Sequence, residues 1–435
     1  MRFPGRRKHT HYFPVHARDP LFQHVGLAPP STQTHPVGID QTLVDIDARV
    51  SESLIERYQL SKGGSLVITK DKAAALYEEL LAAKLISYEF AGGTVGNTLH
   101  NYSVLADDAS ILLGVMSESI RVGTSGYRYL SNTSSRVNLD HLQPVDGPIG
   151  RCFALITPDG ERTFAICEGN MNELQPESVP AKVFDGASCL VISAYLMRCN
   201  PGDPMPAATR RALVLAKERG VPVVLTLGTQ FVIAERPEFW REFIAENVNV
   251  LAMNEDEGAA LTGSTEPLIA CDRALEFTDL VLCTAGPTGL YLAGHTDDAV
   301  KRETRHPLLP GAIAEFNRYE FSRPMLRKNC AAPLKVYAHI GPYHGGPDRI
   351  TSTNGAGDAA LAALLHDMAA NGYHRASAPN SAKHVREFLT YSSMSQVCRY
   401  ANRVSFEVLA HASPRLTRGL PQREEGLDDE AYWAR

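Results

Sequence analysis

The feature that most constrains the fold of this chain is a regular alternation of apolar and helical segments that begins at Leu190. The apolar runs cover 190–193, 222–227, 250–252 and 280–284, with segments of helical spacing at 207–219 and 237–246. Continuous apolar runs separated by helices are typical of parallel strands that are buried on both faces. The pattern predicts an α/β fold with a doubly wound, mostly parallel sheet flanked by helices, in which ligands bind beyond the carboxyl ends of the strands.

The composition is that of a globular protein. With 435 residues and 44% hydrophobic content the chain can bury a large core, and its formal net charge of −6 predicts no affinity for nucleic acid or anionic membrane. No apolar run reaches the length of a bilayer span. The eight cysteines lack the spacing of metal ligands and indicate free thiols in a reducing compartment. We therefore expect a cytoplasmic enzyme or binding protein.

A glycine-rich loop that runs directly into a helix is the first candidate site. Residues 351–358 precede an apolar run at helical spacing, which the Asn-Gly pair at 371–372 is expected to end. Free amides and the positive end of the helix dipole favour an anion at residues 355–357. A carboxylate beside a bound phosphate can accept a proton from an attacking hydroxyl, so Asp358 is a candidate base; a helix cap is the alternative.

Two carboxylates lie in one predicted strand near the start of the chain. Residues 37–46 are predicted to form a single strand, with Asp40 and Asp45 at the two ends of its polar face. An ionised aspartate accepts hydrogen bonds from two hydroxyl groups, so the pair suits a polyhydroxyl ligand. The alternatives are that Asp40 occupies a turn and that Asp45 is simply exposed.

Two further glycine-rich loops adjoin predicted elements. Residues 92–97 open a helix, and Asn97 in its first turn can hydrogen-bond a ligand. Residues 284–289 follow a predicted strand and can bring their backbone close to phosphate groups. Each loop alone is also compatible with an ordinary turn.

Polar residues follow two of the predicted strands. Asn254 and Glu257 lie three residues apart at a helix start, where they share a face suited to hydrated Mg²⁺. An acidic first turn that interacts with the helix dipole is the alternative. Arg198 is interpreted either as an ordinary surface residue or as a cation at the rim of the site.

The order of these motifs is similar to that of the ribokinase-like (PfkB) carbohydrate and nucleoside kinases. The motifs are Gly-Gly-x-x-x-Asn at 92–97, Asn-x-x-Glu at 254–257, Thr-x-Gly-x-x-Gly at 284–289 and Asn-Gly-Ala-Gly-Asp at 354–358, and the resemblance covers about 37–410. It implies a ribokinase-like doubly wound sheet with a small β lid. It also implies ATP- and Mg²⁺-dependent phosphorylation of the 5′-hydroxyl of inosine and guanosine, in purine salvage.

The resemblance implies a role for each motif. Asp358 would be the base, and the amides of Gly355, Ala356 and Gly357 would form an anion hole for the transferred phosphoryl group. Arg198 is expected to donate to O6 and N7 of the purine. The other implied roles are Mg²⁺ binding through water by Asn254 and Glu257, ATP binding by Thr284, Gly286, Gly289, Gly357 and Asn402, and nucleoside binding by Asp40, Asp45, Gly93, Thr94, Gly96 and Asn97.

The same resemblance divides the chain. The implied parts are an N-terminal arm at 1–36, a kinase domain at 37–420 with lid segments at about 45–92 and 148–170 and an insertion at about 301–350, and a polar tail at 421–435. The insertion and the lid hairpin around Gly160 are candidate homodimer surfaces.

Two residues depart from patterns found elsewhere in the family. Ser352 stands where K⁺-dependent relatives commonly have Asp, which leaves K⁺ dependence open. Thr94 replaces the Lys of many sugar kinases, which favours a neutral nucleoside as the substrate.

Single motifs of the chain are also compatible with other functions. A sugar or adenosine kinase is possible on the same scaffold. A dinucleotide-dependent oxidoreductase is suggested by Gly355-x-Gly357-x-x-Ala360, but that fingerprint normally opens an N-terminal βαβ unit and is followed by an acidic residue, which is missing here. No Gly-Lys dipeptide is present for a P-loop kinase. A non-catalytic nucleoside-binding protein is the remaining alternative.

Overall fold

Two β-sheets form the framework of the chain. The computed structural model describes residues 34–198, 200, 202–304, 313, 316 and 318–420. The strands in these ranges are β1 His35–Ile39, β2 Leu43–Arg49, β3 Ser65–Val67, β4 Ile86–Ala91, β5 Ser110–Ser117, β6 Val137–Asn138, β7 Leu142–Val145, β8 Gly150–Ile156, β9 Arg162–Cys167, β10 Ala187–Ser193, β11 Val223–Thr226, β12 Val250–Asn254, β13 Leu280–Thr284, β14 Leu290–Asp297 and β15 Pro333–Ile340.

Helices connect most of these strands. They are α1 Glu52–Arg57, α2 Lys70–Ala82, α3 Thr94–Ala106, α4 Ser125–Ser131, α5 Met205–Glu218, α6 Gln230–Glu235, α7 Pro237–Asn247, α8 Glu255–Thr262, α9 Pro267–Ala274, α10 Ala356–Ser377 and α11 Met394–Leu409. None of the helices in the described ranges is long and apolar enough to cross a membrane.

The larger sheet has the predicted doubly wound, mostly parallel form. Its strand order is β15-β14-β13-β12-β11-β10-β1-β5-β6, and β7 pairs with β5. Among the strand pairs of this sheet, only β13–β14 and β14–β15 are antiparallel. The first strand after β1 to pair with it is β5, on one side. On its other side β1 pairs with β10, which comes later in the chain. The topology therefore reverses at β1, where ligands of such sheets bind.

The smaller sheet corrects one prediction. Residues 37–46 were expected to form a single strand, but β1 ends at Ile39 and β2 begins at Leu43 in a different sheet, whose order is β3-β9-β8-β2-β4. Asp40 therefore lies between the sheets and Asp45 lies within the smaller one. The predicted hairpin at 151–166 is present as the antiparallel pair β8–β9.

One other expectation is wrong. The Asn-Gly pair at 371–372 does not end a helix, since α10 continues to Ser377. Asn371 is buried and donates to the Phe388 carbonyl at 2.6 Å, so tertiary contacts outweigh the local stop signal. The implied insertion at about 301–350 contains β15 at the edge of the larger sheet. Most of the N-terminal arm and the tail at 421–435 lie outside the described residues.

Helix α10 is buried on most of its surface. It packs between α3, α11 and the sheet, and its apolar residues belong to one hydrophobic cluster with residues of β10, β12 and β13. The sequence already favours this position, because alanine and leucine fill almost every position from Ala359 to Leu365. A helix that is apolar all round is expected in a protein interior.

We predict that Leu364→Ala lowers the free energy of unfolding by about 2–5 kcal/mol, because Leu364 is fully buried and the change leaves a cavity. Leu81→Ala is the matched control, since Leu81 near the end of α2 is 58% exposed. Urea unfolding of both variants is the measurement. Equal destabilisation by the two changes would contradict the assignment of α10 to the core.

Candidate active site

The loop before α10 brings unpaired backbone amides to the edge of the sheet. Gly355 is the N-cap of α10 with a φ of 78°, and a Cβ there would overlap Pro414, so only glycine fits. The helix geometry leaves the first amides without an intrahelical partner, and the Ala356 amide lies a long 3.5 Å from the Thr353 carbonyl. The first turn of α10 therefore presents N–H donors, and the half-buried Asp358 lies in the same turn.

A hydrogen bond links Asp358 to a distant part of the sequence. The Asn97 amide nitrogen donates to the Asp358 carboxylate at 3.2 Å. Asn97 lies in the first turn of α3, in which Gly93, at a φ of 88°, is the N-cap and Thr94 is the first helical residue. The loops at 92–97 and 354–358 thus meet at one point.

Asp40 and Asp45 flank the same helix start. The Asp40 carboxylate accepts a 2.7 Å hydrogen bond from the amide of Gly96. A side chain at Gly93 would overlap Asp40, and one at Gly92 would overlap the carboxylate of Asp45. The two glycines let the backbone approach both acids closely.

The carboxylates of the site act on one another electrostatically. Burial, together with the charges of Asp40, Asp45 and Glu257, raises the pKa of Asp358 to about 8. Burial likewise raises the pKa of Asp40 to about 7 and that of Asp45 to about 7, and in both the positive charge of Arg415 acts in the opposite direction. A carboxyl group of raised pKa is partly protonated at neutral pH, and a cation bound beside it would favour the charged form.

Arg415 is a site residue that sequence reasoning missed. It is 4% exposed, and its guanidinium donates to Asn97 Oδ1 at 2.8 Å, to the Gly92 carbonyl at 3.1 Å and to Thr133 Oγ1 at 2.7 Å. Its charged group also lies 5.2 Å from the centre of the Tyr129 ring. By holding Asn97 Oδ1, Arg415 directs the amide nitrogen of Asn97 toward Asp358.

Asn254 and Glu257 form a capping box at the start of α8. Glu257 accepts from the Asn254 amide at 2.9 Å and from its side chain at 3.2 Å, while Asn254 Oδ1 accepts from the Glu257 amide at 2.8 Å. Burial raises the pKa of Glu257 to about 7. In the described ranges no three His, Cys, Asp or Glu side chains are grouped as direct metal ligands. Binding of a metal through water, the mode expected from the sequence, would leave this capping box intact.

The loop at 284–289 adjoins the start of α10. Thr284 Oγ1 lies 4.0 Å from where a Cβ of Gly357 would be. Gly289 has a φ of 101° and a side chain there would overlap the Ile340 carbonyl, whereas Gly286 is exposed. Asn402 is buried and donates to the Gly341 carbonyl at 2.8 Å. Of these residues, Thr284 is the one that the structure places beside the first turn of α10.

A contact joins the smaller sheet to the loop before α10. Arg162 at the start of β9 donates to Asn354 Oδ1 at 2.8 Å. Residues of both sheets therefore border the space in front of Asp358.

Arg198 is not brought into this group. Its guanidinium contacts Glu235 at 3.2 Å and lies 4.6 Å from the centre of the Phe231 ring. Those contacts occupy it at the surface, so its expected role in base recognition stays a prediction. Tyr195, three residues earlier, lies closer, since the charges of Glu257 and Asp358 contribute to the raised pKa of its hydroxyl.

The arrangement suits transfer of a phosphoryl group to an alcohol. Amide donors at a helix start can bind an anion, and a carboxylate of raised pKa beside them can accept a proton. The acids on the other side can hold hydroxyl groups.

Comparison with known proteins is consistent with this chemistry. The model of the pfkB family carbohydrate kinases matches residues 91–307. The guanosine-inosine kinase of Escherichia coli (strain K12) is 63% identical over 435 residues, which is 100% of both chains. The adenosine kinase of Sinorhizobium meliloti has a TM-score of 0.63 at 20% identity and covers 89% of this chain and 97% of its own. A probable sugar kinase of Rhizobium etli has a TM-score of 0.65 at 16% identity, over 89% of this chain and 96% of its own.

The two solved structures share the fold at low identity, whereas the Escherichia coli relative aligns from end to end. The motif order, the doubly wound sheet and this full-length similarity agree: the chain belongs to the pfkB family of carbohydrate kinases.

Proposed function

We propose that this protein transfers the γ-phosphoryl group of ATP to the 5′-hydroxyl of inosine and guanosine. The observation that carries the proposal is the hydrogen bond between Asn97 and Asp358, because it places the loop expected to bind the nucleoside against the loop expected to bind the phosphoryl group. The full-length identity of 63% with a guanosine-inosine kinase supports the choice of substrate.

In this proposal Asp358 removes the proton from the 5′-hydroxyl as its oxygen attacks the γ-phosphorus, and ADP leaves. The amides of Gly355, Ala356 and Gly357 donate hydrogen bonds to the equatorial oxygens of the transferred group. Asp40 and Asp45 accept hydrogen bonds from the ribose, while Asn97 orients the Asp358 carboxylate. Thr94 and Gly96 complete the nucleoside side of the site.

Mg²⁺ is the expected metal, as in kinases that use ATP. The excess of carboxylates around Asp358 fits a divalent cation, and Asn254 with Glu257 would hold it through water. When bound, the ion neutralises charge on the phosphate oxygens. A cation there would also lower the pKa of Asp358, which favours the basic form that the reaction needs.

A substrate panel tests the proposed function. With ATP and Mg²⁺, we expect ADP release with inosine and guanosine to exceed that with adenosine or ribose by at least about 100-fold in kcat/KM, since a mispaired base leaves polar groups unsatisfied. Product analysis should locate the phosphate on the 5′-oxygen. Preference for adenosine or ribose would overturn the assignment, and repeating the panel with and without K⁺ determines whether K⁺ is needed.

Asp358→Asn should lower kcat by about 10²–10⁴-fold, because the amide cannot accept the proton. Nucleoside and ATP affinities should change little, as measured by isothermal titration calorimetry. Asp71→Asn is the matched control: Asp71 also lies in the first turn of a helix, α2, and is exposed. A near-normal kcat in Asp358→Asn would show that Asp358 is not the base. Equal losses of kcat in the two variants would indicate that Asp358 only caps the helix.

The carboxylate cluster also predicts how stability depends on pH. The pKa values of about 7 to 8 for Asp40, Asp45, Glu257 and Asp358 exceed those of the unfolded chain, so the folded state retains protons that the unfolded state releases. The ligand-free protein should therefore lose stability as the pH rises from about 4 to about 8. Thermal unfolding across this range is the measurement, and Asp358→Asn should reduce the loss.

Arg415→Met should weaken catalysis without affecting the binding of ATP. Losing the donor to Asn97 Oδ1 frees that amide to rotate, so we expect kcat/KM for inosine to fall by about 10–100-fold while KM for ATP stays within about twofold. Arg418→Met is the control, because Arg418 is exposed three residues away. Parallel losses for both substrates, or a lower melting temperature with unchanged kinetics, would contradict a positioning role.

A further inference from the structure

The smaller sheet has one covered face and one open face. Ala165 and Cys167 of β9 are buried in the hydrophobic cluster that also contains residues of α1 and α2. Arg162, Phe164 and Ile166, which alternate with them along the strand, are only half-buried. Because successive side chains of a strand point to opposite faces of the sheet, these three residues line the face that α1 and α2 leave uncovered, hereafter the open face.

The open face runs from the loop before α10 to the acids near the start of the chain. Arg162 at one end of β9 donates to Asn354, in the loop proposed to bind the phosphoryl group. Four residues further along β9, Ile166 pairs with Cys152, which pairs in turn with Asp45, proposed to bind the ribose. Because the ribose of a nucleoside lies between its 5′-oxygen and its base, we expect the base beyond Ile166.

Glu168 is the residue at that position. It directly follows β9 and continues the alternation, since it is half-buried and comes after the buried Cys167. Neighbouring strands are about 4.8 Å apart and each residue extends a strand by about 3.3 Å, so the Cα atoms of Asp45 and Glu168 are separated by roughly 12 Å. A nucleoside can bridge this distance between the two carboxylates.

Neutral amides hold the Glu168 carboxylate in place. Asn172 Nδ2 donates to Glu168 Oε1 at 3.4 Å, and Asn200 Nδ2 donates to Glu168 Oε2 at 3.1 Å. Gln41, directly after Asp40, donates to Asn172 Oδ1 and thereby fixes which end of that amide faces Glu168. In the described ranges no cationic side chain forms an ion pair with Glu168. The carboxylate is therefore oriented while its charge is left without a direct counter-charge.

The acceptor positions of this carboxylate match one class of purine. Each oxygen of an ionised carboxylate can accept two hydrogen bonds, so both oxygens of Glu168 retain one acceptor position. Guanosine presents its N1–H and 2-amino donors side by side, and inosine presents its N1–H donor. Adenosine instead presents the lone pair of N1, which a carboxylate repels. A carboxylate that faces this edge of the base therefore favours 6-oxopurines.

An aromatic side chain of the larger sheet lies near the open face. Burial raises the pKa of the Tyr195 hydroxyl, and the charges of Glu257, Cys152 and Asp358 raise it further, so Tyr195 is close to both the open face and α10. Its hydroxyl donates to the Gly228 carbonyl at 3.2 Å, which holds the side chain in place. Aromatic rings provide a large, flat contact surface for a base.

We propose that Glu168 selects guanosine and inosine over adenosine by accepting hydrogen bonds from N1–H and, in guanosine, from the 2-amino group. This inference rests on the proposed nucleoside kinase activity and names the residue that determines its base specificity. Gln41, Asn172 and Asn200 are positioning residues for the carboxylate. The expected contact of Arg198 with O6 and N7 concerns a different edge of the base.

Steady-state kinetics of Glu168→Gln with guanosine, inosine and adenosine test the proposal. We expect kcat/KM for guanosine to fall by about 100-fold, because two hydrogen bonds to a charged group are lost or weakened. The value for adenosine should rise, since a glutamine amide can donate to N1 and accept from the 6-amino group. Glu173→Gln is the matched control, because Glu173 is exposed in the same loop, and it should change the guanosine-to-adenosine ratio by less than twofold.

The ratio of kcat/KM values separates this inference from the proposed function. A wild-type protein that prefers guanosine and inosine, together with an unchanged ratio in Glu168→Gln, would overturn the role of Glu168 and leave the kinase activity standing. A wild-type protein that phosphorylates neither nucleoside would overturn both. An equal change of the ratio in Glu173→Gln would also overturn the role of Glu168.

Nucleoside binding tests the same contact from the ligand side. Guanosine, 1-methylguanosine, which lacks the N1–H donor, and 7-deazaguanosine, which keeps it, are titrated calorimetrically into the wild-type protein and Glu168→Gln. The 1-methyl group should weaken binding to the wild-type protein by at least about 100-fold and binding to the variant by about tenfold or less, because the charged partner is already gone. Equal losses in both proteins, or an equal loss with 7-deazaguanosine, would refute the proposed contact.

Discussion

The hydrogen-bonded series Arg415–Asn97–Asp358 is the interaction on which the site depends. It joins Arg415 to two helix starts that are separated by more than half of the sequence. A guanidinium has only donors, so it fixes which end of the Asn97 amide faces the carboxylate. Without that constraint Asn97 could turn its oxygen toward Asp358, and two acceptors would then face each other. The orientation of the proposed base is thus set by a residue that does not touch it.

The carboxylates around this series lower stability in their charged form rather than raise it. Burial raises the pKa of Asp358 to about 8, and three other acids contribute to the same electrostatic strain. Such clustering is tolerated because α10 is packed into the core on its other faces. Strain of this kind concentrates at functional sites, where a bound ligand relieves it.

The sequence predicted those parts of the fold that short-range residue patterns determine. The parallel strands, the β8–β9 hairpin and the glycine-rich start of α10 all carry such signals, and the order of motifs identified the family. The break between β1 and β2 was missed, because Asp40 is the one strongly turn-favouring residue at 40–42 and a strand that changes sheets keeps its alternation. Arg415 was missed because one arginine after Pro414 has no pattern; only its burial distinguishes it. Contacts between residues that are distant in the sequence also explain why α10 continues beyond Asn371.

The short connection between β1 and β2 affects how the two sheets can move relative to each other. Asp40 follows β1 and stays with the larger sheet, whereas Asp45 is paired within β2 to strands of the smaller one. Only residues 40–42 separate the strands, so a rotation of the smaller sheet would bend the chain there as well as at other connections, such as 92–93 between β4 and α3. Such a rotation would change the spacing between the two acids. Under the proposed function, it would alter both the hold of these acids on the sugar and the access of solvent to the phosphoryl group.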